Sequence, residues 1–138
     1  MTARRAAVPA DAAQLTVLNQ FLRDFGSSAA LDAAQVQTFE LALEEIFMNI
    51  VVHGARPGST PLVEVSLDRA AECITMTVED DGPQFDPLAL PPPDVDAGLA
   101  ERPVGGLGVF LVRNMMDTIS YARIEGRNQL RMSKRLGG

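Results

Sequence analysis

From Leu15 onward, apolar residues recur every three or four positions, at Leu15, Leu18, Phe21, Leu22 and Phe25, the spacing of one face of a helix. The pattern predicts a helix over about 12–25, capped by Asp11 and ended by Gly26-Ser27-Ser28. A second helix is predicted from Asp32 to about His53. Asp32 followed three residues later by Gln35 reads as a capping box, and Gly54 and Pro57 stop the helix. From Phe39 on this segment is apolar nearly all round, so it should be a central, buried element. The period then shortens to two. Residues 62–67 and 73–78 are rich in β-branched side chains and predict an antiparallel hairpin joined by the polar stretch 68–72. In the second run Ile74, Met76, Val78 and Asp80 share one face, and Thr75, Thr77 and Glu79 the other. One apolar and one polar face imply a sheet covered by helices on one side only.

Periodicity fails over 83–104, which holds most of the prolines, including Pro91-Pro92-Pro93. A loop of that length in a small domain is a lid or a disordered segment. Gly105-Gly106-Leu107-Gly108 then opens a short helix predicted over 109–116. Two final strands, about 118–124 and 129–134, are joined by a turn at Glu125-Gly126-Arg127-Asn128. These elements predict an α/β (α+β) two-layer sandwich, with helices on one face of a mixed, largely antiparallel sheet. The 138 residues fit one domain, without an internal repeat. A net charge of −6 argues against nucleic acid or an anionic membrane as partner. One cysteine, Cys73, and one histidine, His53, exclude an internal disulfide and argue against a zinc site. The N-terminus lacks the apolar core of a signal peptide, and no apolar run approaches membrane-spanning length. The expectation is a cytoplasmic protein.

Chemistry could reside in three places. Glu45, Asn49 and His53 follow one another at intervals of four along one side of the second helix, amid Leu43, Ile46, Phe47 and Ile50. A carboxylate there meets water at the helix edge, or else a metal, a cation or a substrate. His53, near the helix end, is read as structural, bonding the last carbonyls. Asp80 ends a strand with its carboxylate on the inner face, where it could accept a hydrogen bond from an exocyclic amine such as adenine N6. Gly82 would let a flat ring approach the backbone, although Asp-Gly also simply makes turns. Gly106 and Gly108 open a helix whose free N–H groups attract phosphate, unless the segment is only a hinge. Neither a G-x-x-x-x-G-K-[ST] loop nor a complete dinucleotide fingerprint is present.

The order of these motifs resembles the GHKL (histidine-kinase-like) ATPases and their Bergerat fold. It runs from a helical Glu-x-x-x-Asn to a strand ending in Asp-x-Gly, then a lid-length loop, then Gly-x-Gly at a helix start. The resemblance narrows to the bacterial anti-sigma factor serine/threonine kinases through ELALEEIFMNIVVHG (40–54) and GGLGVFLVRNMMDTISYARIEGRNQLRMSKRL (105–136). Within the latter, Met116-Asp117, Tyr121 and Asn128-x-Leu130 are as telling as the glycines, and the likeness spans roughly residues 10–135. It implies that Asn49 holds Mg²⁺ on the ATP phosphates, that Glu45 is the catalytic base, and that Asp80 reads adenine with Gly82 making room. Gly106 and Gly108 would donate N–H groups to the phosphates, and residues 88–104 would form the ATP lid. Two positions depart from the pattern. Gln84 stands where many relatives have a second glycine, and Arg102, the nearest candidate for a lid arginine at the γ-phosphate, is set apart by Pro103-Val104.

The resemblance implies a protein serine/threonine kinase that uses Mg-ATP and acts as an anti-sigma factor. It would phosphorylate an anti-anti-sigma (STAS) protein in a partner-switching pathway, bind a sigma factor, and form a homodimer. The alternative is an ATP-binding adaptor or anti-sigma module that transfers no phosphate.

Overall fold

The computed structural model describes residues 2–54, 56–89 and 106–136. In chain order these form β1 (Thr2–Pro9), α1 (Leu15–Ser28), α2 (Ala33–Gly54), β2 (Leu62–Ala70), β3 (Cys73–Asp80), α3 (Gly106–Met115), β4 (Thr118–Ile124) and β5 (Arg127–Arg135). The strands make one sheet in the order β1-β2-β3-β5-β4, and all four pairings are antiparallel. Its inner face carries Val63, Val65 and Leu67 of β2, Ile74, Met76 and Val78 of β3, and Leu130 and Met132 of β5. These join Leu18, Leu22 and Phe25 of α1, Phe39, Leu43 and Phe47 of α2, and Val109 and Val112 of α3 in one core. This is the two-layer sandwich the alternation in β3 predicts. Among the described residues no helix is long and apolar enough to cross a membrane.

The N-terminal strand is not legible in the pattern. Among Ala3–Val8 only Val8 is buried and the rest are alanine or arginine, too little apolar alternation to register as a strand. Pairing with β2 creates it, and it forms one edge of the sheet.

Helix α1 differs from expectation at both ends. A single 3-10 turn, Ala12–Gln14, precedes it, with Asp11 accepting from the Ala13 N–H at 3.0 Å. The helix then continues through Gly26-Ser27-Ser28. Gly26 is not its stop but its contact with α2: a Cβ there would lie 2.6 Å from Val36 Cγ2. The helix ends at Ser28 and the chain turns at Ala30, in the left-handed region with φ 57, as the Leu31 N–H turns back to the Gly26 carbonyl at 2.9 Å, a Schellman closure with alanine in glycine's usual place.

Other boundaries shift for local reasons. The β2–β3 turn contains only Ala71 and Glu72, because Ala70 pairs with Cys73, so Asp68 and Arg69 belong to the strand. Ile124 likewise pairs with Arg127, leaving Glu125 and Gly126 at φ 51 and 77, the two-residue turn that suits a twisted hairpin. Arg127 and Asn128 are therefore strand residues, not turn residues. Helix α3 begins at Gly106 itself, three residues before the predicted start.

The capping box of α2 forms as predicted. The Gln35 N–H donates to Asp32 Oδ1 at 2.8 Å, and Gln35 Oε1 accepts from the Asp32 N–H at 2.9 Å. Asp32→Ala should therefore cost about 1 kcal/mol, read as a lower urea midpoint with an unchanged denaturant slope.

Candidate functional site

Helix α2 and strands β3 and β5 bring their polar residues to one place. A pocket opens to solvent between Asn49, Ile50 and His53 of α2, Val78 and Asp80 of β3, and Tyr121 and Asn128 of the last hairpin. Pro83, Phe85 and Pro87 of the segment after β3 line it as well. Its mostly apolar wall with a few converging polar groups suits a small organic ligand.

Asp80 is 4% exposed and sits on the inner face, in line with Ile74, Met76 and Val78. Its Oδ2 accepts from the Gly82 N–H at 2.9 Å and from Asn128 Nδ2 at 3.1 Å. Burial raises its pKa above the ordinary 3.8, against the opposing pull of those two hydrogen bonds. Gly82 lies under this carboxylate. A Cβ there would stand 2.9 Å from Asp80 Oδ2 and 3.1 Å from Pro61 Cγ.

On the helix, Asn49 is 4% exposed. Its Nδ2 donates to the Glu45 carbonyl at 3.0 Å, while its Oδ1 is buried with no hydrogen-bond partner among the described residues. A buried amide oxygen left over in this way fits a hard cation or a ligand donor. Among the described residues no cluster of three or more His, Cys, Asp or Glu exists to hold a metal without such help. Glu45, half-buried one turn earlier, does not line the pocket; its carboxylate lies against the first turn of α3. A Cβ at Gly108 would be 1.8 Å from Glu45 Oε2 and 2.5 Å from its Cδ. Gly106 opens the same helix, so the N–H groups of its first turn lack helical partners. Arg102, and the lid predicted over 88–104 apart from residues 88 and 89, lie outside the described residues.

His53 does not cap the end of α2. Its ring stacks on Phe85, centroids 4.3 Å apart and planes 17° from parallel, and its Nε2 is buried without a partner among the described residues. The lone histidine thus forms part of the pocket wall. Asn128, which sequence reasoning valued as a marker but did not place in the site, proves central. Its Nδ2 also donates to the Pro83 carbonyl at 2.8 Å, and its Oδ1 accepts from the Phe85 N–H at 3.1 Å and from the Tyr121 hydroxyl at 2.5 Å. A signal for it exists in the sequence. Asn128, Leu130 and Met132 alternate on the inner face as Asp80, Val78 and Met76 do, a polar residue at the head of an apolar series.

The histidine kinase-like ATPase domain family matches residues 8–134, and the chain belongs to that family. Membership implies an ATP-binding domain. Among individual proteins, the chain is similar to the serine/threonine-protein kinase BtrW of Bordetella bronchiseptica, 29% identical over 96 residues covering 70% of this chain and 68% of the relative. It is also similar to the serine-protein kinase RsbW of Staphylococcus aureus, 23% identical over 124 residues covering 86% and 78%.

Two outcomes follow from the packing. Gly→Ala inside a helix ordinarily stabilises by roughly 0.5–1 kcal/mol, but Gly108→Ala drives a Cβ into the Glu45 carboxylate. The gain should be absent in the parent protein and present in a Glu45→Ala background, as a double-mutant cycle by urea denaturation would measure. Asp80 holds its proton to higher pH when folded than when unfolded, so its contribution to stability falls as pH rises above 3.8. Asp80→Asn should therefore gain stability relative to the parent as pH rises from 3.8 toward the raised folded pKa; a constant difference would contradict the raised pKa.

Proposed function

We propose that this chain is a Mg-ATP-dependent serine/threonine protein kinase, one nucleotide-binding domain over 1–138 with its ATP lid at about 88–104. The observation that carries the reading is the meeting of α2 with α3: the Glu45 carboxylate lies against Gly108 at the opening of a helix, one turn from Asn49 Oδ1, which has no partner among the described residues. The names of the two relatives, both protein kinases, support the same reaction class.

In this reading the base lies in the pocket above Asp80, whose carboxylate accepts from adenine N6. The phosphates run toward α3, where the free N–H groups at Gly106 and Gly108 receive them. Asn49 Oδ1 would supply one ligand to Mg²⁺, and the ion would neutralise phosphate charge. Glu45 orients a substrate hydroxyl and takes its proton as the oxygen bonds to the γ-phosphorus and ADP departs. Arg102 is the candidate lid cation at the γ-phosphate. The substrate is a serine or threonine of an anti-anti-sigma (STAS) protein, and the unphosphorylated antagonist competes with a sigma factor for a homodimer of this chain in the cytoplasm.

Glu45 and Asn49 should fail differently. Glu45→Gln keeps size and hydrogen bonding but removes the base. ATP should still bind while transfer to a STAS serine falls by about 10²–10⁴-fold. Asn49→Ala should lower magnesium-dependent ATP affinity and transfer together. Labelled ATP, a STAS protein from the same genome and mass spectrometry of the product measure both. Equal labelling by the parent and Glu45→Gln would remove Glu45 from the role of base. Absence of labelling, with ATP still modulating sigma-factor binding, would favour an adaptor without transfer.

A further inference from the structure

The hydrogen bonds around Asn128 leave no freedom in its orientation. Two of its partners are backbone groups with fixed roles: the Phe85 N–H can only donate, at 3.1 Å, and the Pro83 carbonyl can only accept, at 2.8 Å. Oδ1 must therefore face Phe85 and Tyr121, and Nδ2 must face Pro83 and Asp80. With only an oxygen before it, the Tyr121 hydroxyl donates to Asn128 Oδ1 at 2.5 Å. All four capacities of the amide are used, in a side chain 6% exposed.

Asp80 Oδ2 consequently receives two donors, Asn128 Nδ2 and the Gly82 N–H, neither of which can reverse. Whatever atom occupies that place must be an acceptor. The other terminal atom of residue 80, for which no partner is found among the described residues, is left for the pocket that the residue lines.

We propose that Asn128 is a positioning residue that, with the Gly82 N–H, pins one terminal atom of residue 80 and so fixes which atom, and with an amide there which polarity, the residue presents to the purine. The inference rests on the proposed function, in which the base lies against Asp80. With aspartate at position 80 the outward atom is an acceptor, suited to the 6-amino group of adenine. With asparagine there, the two donors would claim its oxygen and turn its NH₂ outward, suited to the 6-carbonyl of hypoxanthine. The same network anchors Phe85, whose ring stacks on His53, so one amide holds both the reading group and one wall of the pocket.

The test is calorimetric titration of the full chain with Mg-ATP and Mg-ITP. ITP carries a carbonyl oxygen where ATP carries its amine, without the added amino group of guanine. The parent should favour ATP by on the order of tenfold or more, the worth of one buried hydrogen bond. Asp80→Asn, nearly isosteric, should invert the order and favour ITP. Asn128→Ala should shrink the ATP/ITP ratio of the parent, and combined with Asp80→Asn it should shrink the inverted preference, since one pinning donor is gone. A merely structural role for Asn128 would lower both affinities and leave each ratio unchanged, which would overturn the inference. Should Asn128→Ala fail to fold, the inversion in Asp80→Asn still decides it: retained ATP preference, or loss of ATP without relative gain of ITP, overturns it. A parent protein that binds ATP and ITP alike overturns instead the assignment of adenine to Asp80, and the inference falls with it.

Discussion

The hydrogen bond between Asp80 and Asn128 is possible because the two residues are paired across β3 and β5, and that pairing is set by the core. Val78 faces Leu130 and Met76 faces Met132 on the same side of the sheet, and a slip of one residue would turn the whole apolar series of β5 outward. The register that buries those side chains also places an amide beside a carboxylate that would otherwise be costly to enclose. Burial still prevails in the balance, since the pKa of Asp80 is raised despite its two donors. The polar pair is thus held in place by hydrophobic neighbours that take no part in its chemistry.

Close approach governs the helical side in the same way. Pro61 is wedged between the end of α2 and the turn after β3. A Cβ on Gly54 would stand 3.0 Å from its Cγ, and one on Gly82 would stand 3.1 Å from it. Gly108 yields space to the Glu45 carboxylate. In each case a missing side chain lets two elements meet more closely than L-residues allow. The position of Gly82 relative to α2 follows from sterics as much as from hydrogen bonds, as does the depth of Glu45 beneath α3.

Elements whose signal is local were legible in the sequence. The cap at Asp32, the long apolar α2, the alternation of β3 and the three motif sites all emerge from neighbouring residues. Features that depend on a distant partner were not. β1 is a strand because β2 lies beside it, Gly26 is helical because Val36 approaches it, and Ala30 takes a left-handed conformation that its side chain does not favour. His53 looked like a helix cap because Phe85, 32 positions away, is invisible to helical periodicity. Asn128 was hidden by its neighbours Glu125, Gly126 and Arg127, which together read as a turn, although the turn takes only two of them.

The unsatisfied atoms complete the contrast between the two sides of the pocket. Every hydrogen-bonding capacity of Asn128 is used, whereas across from it Asn49 Oδ1 and His53 Nε2 are buried without partners among the described residues. A buried polar atom left unpaired would cost about 1–3 kcal/mol, and both of these residues line the pocket, where something outside the chain can reach them. Fully bonded, Asn128 fixes which atom Asp80 presents to the pocket; the helix side keeps acceptor capacity for something outside the chain. A site that binds by the same residues that stabilise its fold would have nothing left to offer a ligand. Here the two tasks are divided: Asn128 of β5 is spent on holding one oxygen of Asp80, and α2 leaves Asn49 open.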